Sequence, residues 1–302
     1  MSHSPSRRLV LKSLAALPLV SAMPAWAASE FDKVLSPAGL AALEDVVVLD
    51  IRSPKAFAKG HIPDALNAPY PTWRGPKENP GQAMSDARLT ERLQSLGLTR
   101  DSQVVVAHQG ANETDFGAAA RVYWTLKSAG LTRIGILNGG TGGWAATGLT
   151  LSTEPTTPTR SGESFALAET WRIDRAGVAD VIAGKRNAIM VDARPVAFFE
   201  GKAKHKLAER AGTIEGALQL THDSWFTGSK TEIVTGPQVR AIAEKAGYRP
   251  GGPELVSFCN TGHWAATNWF ALSELAGIEG VRLYPESMVG WANAGGALVR
   301  GN

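Results

Sequence analysis

Apolar positions along this chain follow two alternating rhythms. Short, mostly apolar runs at 46–49, 104–107, 134–137, 188–191, 255–258 and 281–284 read as strands buried on both faces, as parallel sheets require. Between them, apolar residues recur at helical spacing over 31–44, 89–96, 117–129, 178–183 and 239–246, and again in the Ala-rich run that follows residue 264. Strands alternating with helices imply right-handed crossovers. The fold class is therefore α/β, with parallel sheets flanked by helices on both faces.

The same order of landmarks occurs twice. Asp50-Ile51-Arg52 is answered by Asp192-Ala193-Arg194, and Gly60-His61-Ile62-Pro63-Asp64-Ala65 by Gly212-Thr213-Ile214-Glu215-Gly216-Ala217. Trp144 is answered by Trp291. The matched positions lie 142, 152 and 147 residues apart, which indicates a duplicated domain. The second copy gains about ten residues around 202–210 and loses about five later, the changes in offset a repeat tolerates in its loops. A stretch rich in Pro, Thr, Ser and Gly at 152–163 reads as an extended connection. The expected layout is a first copy over 28–151, a linker over 152–170 and a second copy over 171–302.

One stretch carries candidate chemistry. The strand at 255–258 ends on Cys259, the chain's only cysteine, followed by Asn260-Thr261-Gly262-His263-Trp264 and then a helix. In open α/β sheets ligands sit beyond the carboxyl ends of strands. A strand, a tight turn and a helix aim main-chain N–H groups at whatever the turn holds, and that setting favours a thiolate. Gly262 suits a loop in which one position must turn tightly. This reading requires the thiol to be reachable and cradled by amides. The bland alternative is a buried, inert cysteine.

Composition adds two points. The 302 residues leave room for two cores, and 44% hydrophobic content suits a globular chain. The first 27 residues hold Arg7, Arg8 and Lys12 and no acid, followed by an apolar segment and Ala25-Trp26-Ala27, the layout of a cleavable leader. The arginine pair points to twin-arginine export to the periplasm, with cleavage after Ala27. An ordinary secretory signal or an uncleaved anchor is the alternative. Without the leader, 28 basic residues balance 28 acidic ones, so charge does not argue for nucleic acid. No stable membrane association is expected after cleavage. A lone thiol in an oxidising compartment is a liability unless it is used or buried.

Two α/β copies, each with D-x-R after a main strand and G-[HT]-I-x-x-A shortly after, and a cysteine ending a strand of the second copy only, resemble tandem-domain rhodaneses, a family of sulfurtransferases. The resemblance covers nearly all of residues 30–300. It implies that Cys259 takes sulfur from a donor such as thiosulfate, holds it as a persulfide and passes it to a thiophilic acceptor, without a cofactor. It also implies a catalytically silent first copy. The matching loop there, His108 to Asp115, has no cysteine and reads as longer.

Departures from the family pattern shape the remaining candidates. In the loop CNTGHW, His263 is the sole candidate cation, and it could hold an anion, shuttle a proton or simply pack against Trp264. The family's substrate-gripping arginine aligns with Phe198. Phe198, Trp225, Lys204 and Arg210 are therefore the candidate substrate contacts, with Lys202, Lys204, His205, Lys206 and Arg210 either replacing lost charge at the rim or forming a solvated loop. Asp192 and Arg194 are expected to brace the strand. The place where a phosphate-binding relative needs arginine holds Ala265, and G-x-S-x-G is absent. Scattered histidines offer no metal spacing. A non-enzymatic carrier that delivers sulfur to a periplasmic protein stays open beside the enzyme.

Overall fold

In the computed structural model, which describes residues 31–302, the first element is not the long helix that the 31–44 pattern predicts. Val34–Leu35 is a short strand, β1, and the helix α1 spans only Pro37–Ala41. Pro37 is the reason. It pushes the preceding residue out of helical space while suiting a helix's first turn. The Ser36 hydroxyl then caps the helix by accepting the Gly39 N–H at 3.0 Å. The leader-like segment and its export signal lie outside the described residues.

The first copy continues through β2 (Val46–Asp50), α2 (Pro54–Ala58), β3 (Leu66–Asn67), α3 (Asp86–Ser95), β4 (Gln103–Ala107), α4 (Glu113–Ser128), β5 (Ile134–Leu137) and α5 (Gly140–Ala146). The second runs through α6 (Arg175–Ile182), β6 (Ala188–Asp192), α7 (Val196–Phe199), β7 (Leu218–Gln219), α8 (Pro237–Lys245), β8 (Glu254–Phe258), α9 (Trp264–Trp269), β9 (Val281–Leu283) and α10 (Ser287–Asn293). The helices α2, α5, α7 and α10 are too short or too Gly-rich for periodicity to reveal. Two parallel sheets result, ordered β1-β5-β4-β2-β3 and β7-β6-β8-β9.

The duplication holds in detail. Asp50 pairs with Ala107 and Asp192 with Phe258 at the same place in each sheet. Gly60 and Gly212 both have positive φ (151° and 129°), and the residue after each bridges back to its copy's end, His61 to Ser152 and Thr213 to Val299. The indole of Trp144 donates to the Thr150 carbonyl, and that of Trp291 to Ala297. His108 follows β4 as Cys259 follows β8. Both strand-to-helix loops are five residues, 108–112 and 259–263, so the first is not longer. The helix starts early there because the Asn112 side chain accepts the N–H groups of Thr114 and Asp115.

Residues 31–302 form one unit, and α4 of the first copy lies against α9 and the π-helical turn Phe270–Leu275 of the second. Phe116 and Tyr123 meet Phe270 edge-to-face at 5.8 and 4.8 Å. The Tyr123 hydroxyl and the Lys127 ammonium both reach the Glu274 carboxylate, each at 2.8 Å. Gly117 has no side chain for a reason. A Cβ there would stand 2.8 Å from the His263 ring. The connecting segment is pinned along α3, with Phe165 and Leu167 buried in the shared core.

Candidate active site

Cys259 directly follows β8 and is 1% exposed. A directly reachable thiol is therefore not what the fold presents. The amide cradle is also narrower than the loop's sequence suggests. The His263 N–H faces the Cys259 Sγ at 3.3 Å, while the N–H groups of Cys259 and Gly262 both donate to the Ser287 Oγ at 3.0 Å. Ser287 gives its own proton to the Tyr284 carbonyl, so every bond it can make is used. It is wholly buried and held at φ 53°, an uncommon backbone for serine, at the junction of β9 and α10.

His263 is not a cation. Burial drives its pKa down to about 3, with Arg74 adding to the effect and a hydrogen bond to Thr114 opposing it. Its tautomer follows from its neighbours. Arg74 Nη1 can only donate, so the Tyr70 oxygen accepts it at 2.8 Å and sends its own proton to His263 Nδ1 at 2.9 Å. Nε2 then carries the ring proton and donates to the Thr114 carbonyl at 2.6 Å. Burial also raises the Tyr70 pKa, which keeps that phenol protonated.

The cations come from the other copy. Arg74 Nη2 donates to the Thr261 carbonyl at 2.8 Å, and Arg121 Nη1 to the Gly262 carbonyl at 3.1 Å. Arg121 Nη2 reaches the Gly81 carbonyl at 2.9 Å, and its Nε has no hydrogen-bond partner among the described residues. Burial first, then Arg74, lowers the Arg121 pKa to about 9, while Tyr70 and Cys259 hold it up. The first copy thus lacks a cysteine but completes the site. Sequence reasoning missed Tyr70, Arg74, Arg121 and Ser287, and no local motif marks any of them.

The remaining candidates separate. Trp225 is fully buried, its indole N–H on Asn268 Oδ1 at 2.8 Å, so it is a core residue and not a substrate contact. Phe198 is half-buried and meets Trp264 edge-on at 6.2 Å. Trp264 stacks on His222 at 4.5 Å and donates to the Thr114 hydroxyl. Lys204 gives its ammonium to the Ala208 carbonyl, and Arg210 its guanidinium to the carbonyls of Ala292 and Gly296. Their hydrogen bonds go to the insertion itself and to residues at and just after the end of α10. Asp192 and Arg194 form a buried pair, with Thr213 donating to the carboxylate and Arg194 to the Gly212 carbonyl. A cavity of 290 Å³ lies on the first copy's side, lined by Arg52, Tyr70, His108 and Thr114 together with His263.

Comparisons with known proteins agree with this architecture. A family model described as a rhodanese-like domain matches residues 38–147 and again 177–294. A Pseudomonas aeruginosa protein provisionally named 3-mercaptopyruvate sulfurtransferase is 31% identical over 82% of this chain and 89% of its own length. A Synechococcus elongatus protein provisionally named thiosulfate sulfurtransferase is 27% identical over 87% of this chain and 80% of its own. A solved structure of an EanB variant with ergothioneine superposes at a TM-score of 0.77 with 20% identity, covering 89% of this chain and 70% of that one. At that identity it speaks for the fold alone.

Proposed function

Since this chain belongs to the rhodanese-like family, its domain present twice, and is a sulfurtransferase, we propose that it moves sulfane sulfur from a small donor such as thiosulfate to a thiophilic acceptor through a persulfide on Cys259. The observation that carries this reading is the sulfur's setting. The chain's sole thiol directly follows a central strand of the second copy and accepts a main-chain N–H from its own loop.

The Cys259 thiolate attacks the outer sulfur of thiosulfate. The new S–S bond forms as the donor's own breaks, and sulfite departs with the electron pair. The persulfide's outer sulfur is then taken by a nucleophile, cyanide becoming thiocyanate, and the thiolate returns. Both displacements pass through anions, and the two buried guanidinium groups beside the loop support anionic chemistry that the loop's own sequence does not. His263, neutral and hydrogen-bonded through both ring nitrogens, is given no proton to carry.

The burial of Cys259 favours keeping a second reading, a carrier that loads or unloads sulfur when a partner protein opens the site. Turnover separates the two. An enzyme releases thiocyanate repeatedly from thiosulfate and cyanide, whereas a carrier releases one sulfur per Cys259 and stops. Cys259→Ser is expected to abolish transfer, together with the mass gain of one sulfur atom on that residue. Transfer surviving in that variant would sink both readings. Periplasmic residence by the twin-arginine route is part of the proposal, resting on Arg7-Arg8 and the apolar segment after them. Replacing both arginines with lysine should stop export, and normal export of that variant would point to another route.

A further inference from the structure

Two hydrogen bonds from the first copy land on consecutive carbonyls of the Cys259 loop, those of Thr261 and Gly262. In a trans peptide the C=O and the following N–H point in opposite directions. Holding the Thr261 carbonyl toward Arg74 therefore turns the Gly262 N–H the other way, where Ser287 Oγ receives it. Holding the Gly262 carbonyl toward Arg121 turns the His263 N–H the other way, onto the Cys259 sulfur. Each arginine sets the direction of one amide on the far side of its peptide plane.

We infer that Arg74 and Arg121 are positioning residues for the second copy's thiol: the first copy holds the loop with its amides turned inward and sets a buried positive charge behind it. The inference rests on Cys259 as the reacting group.

Three further observations bear on it. Gly262 is held at φ 67°, and a Cβ there would fall 2.4 Å from Arg121 Nη1, so the guanidinium approaches as closely as it does only against glycine. Arg121 is 1% exposed, and among the described residues its side-chain hydrogen bonds end on carbonyls, while its guanidinium lies 4.8 Å from the centre of the Trp124 ring. A buried cation without a carboxylate against it is costly, and an anion on the neighbouring sulfur offsets that cost. The charge also polarises the peptide groups it holds, which strengthens the N–H groups opposite.

The test compares Arg121→Lys, Arg121→Gln and Arg121→Met in the whole chain. One readout is the ratio of second-order alkylation rates of Cys259 by iodoacetate, an anion, and by iodoacetamide, its neutral counterpart. The other is the 1H–15N resonance of the His263 amide. Arg121→Met should lower the iodoacetate-to-iodoacetamide ratio about tenfold and move the His263 resonance, and Arg121→Lys should restore most of the ratio. Arg74→Met should move the Gly262 amide more than that of His263. A natively folded Arg121→Met with an unchanged ratio and an unmoved His263 amide would overturn the inference. Should Arg121→Met not fold, the Lys and Gln variants decide, since both keep a donor for the Gly262 carbonyl and differ in charge; equal ratios in the two would overturn it. Neither readout needs sulfur transfer. An absent thiosulfate activity with intact thiol selectivity therefore counts against the proposed function alone.

Discussion

Arg121 and Gly262 are 141 positions apart and joined by one 3.1 Å hydrogen bond, the guanidinium of one copy on the main-chain carbonyl of the other. Through it a copy without a cysteine takes part in shaping the copy that has one. The two halves of the duplicated chain are therefore unequal and interdependent.

Gly262→Ala is expected to be costly for two reasons. Its φ of 67° disfavours any side chain, and the new Cβ would stand 2.4 Å from both Arg121 Nη1 and the Pro285 carbonyl. Strain and overpacking together predict a loss of about 2–4 kcal/mol in stability, with persulfide loading impaired in the folded fraction. Urea unfolding and mass spectrometry after thiosulfate exposure check both halves of the statement.

Burial of Cys259 predicts reaction by opening. In the native protein, modification by a bulky aromatic disulfide should be slow, and its rate should level off as reagent concentration rises, because the opening step becomes limiting. Urea below the unfolding transition should accelerate it. A rate that climbs linearly at the speed of a free thiol would show that the cover does not exist in solution.

Acid should weaken the fold through its buried imidazoles. Burial holds His263 at about 3 and His108 at about 4, against 6.5 when the chain is unfolded. The unfolded state therefore binds protons first as pH falls. The stability these rings contribute is full above pH about 6.5 and drains away toward pH 3–4, up to about 8 kcal/mol for the two together. Urea midpoints at neutral pH and near pH 4.5 measure the drop, and His108→Gln should make it shallower. A wild-type midpoint that did not fall would contradict the assignment.

The Asp192–Arg194 pair should behave as a unit. It is buried and hydrogen-bonded on all sides, so Asp192→Asn or Arg194→Met alone leaves a charge without its partner, at about 3–5 kcal/mol each. The double variant should cost well under the sum. A double-mutant cycle in urea reads the coupling, and strict additivity would mean the contact contributes little.

What the sequence determined by itself was whatever a short window or a repeat can encode. Mostly apolar runs located six of the nine strands among the described residues, because a parallel strand needs burial on both faces wherever it sits. The recurring Asp-x-Arg, the glycine after α2 and its counterpart before β7, and the tryptophans of α5 and α10 marked the duplication. Cys259 stood out because it ends such a run and has no rival in the chain. Local chemistry also explains where the reading at 31–44 failed, since Pro37 restricts the residue before it whatever the helical spacing around it.

Only the tertiary structure decided the rest. Whether His263 is charged depends on how much water the docked copies exclude, which is why a residue that reads as the loop's one cation is neutral. Trp225 read as a candidate substrate contact and is core, because Asn268 lies where its indole N–H points. Arg74 and Arg121 look in sequence like any other arginines. Arg121 became part of the site because α4 packs against α9, and Arg74 because the turn Tyr70–Trp73 before it lies against α4; hydrogen bonds between residues more than a hundred positions apart exist only once that docking has placed donor and acceptor within 3 Å or so of each other.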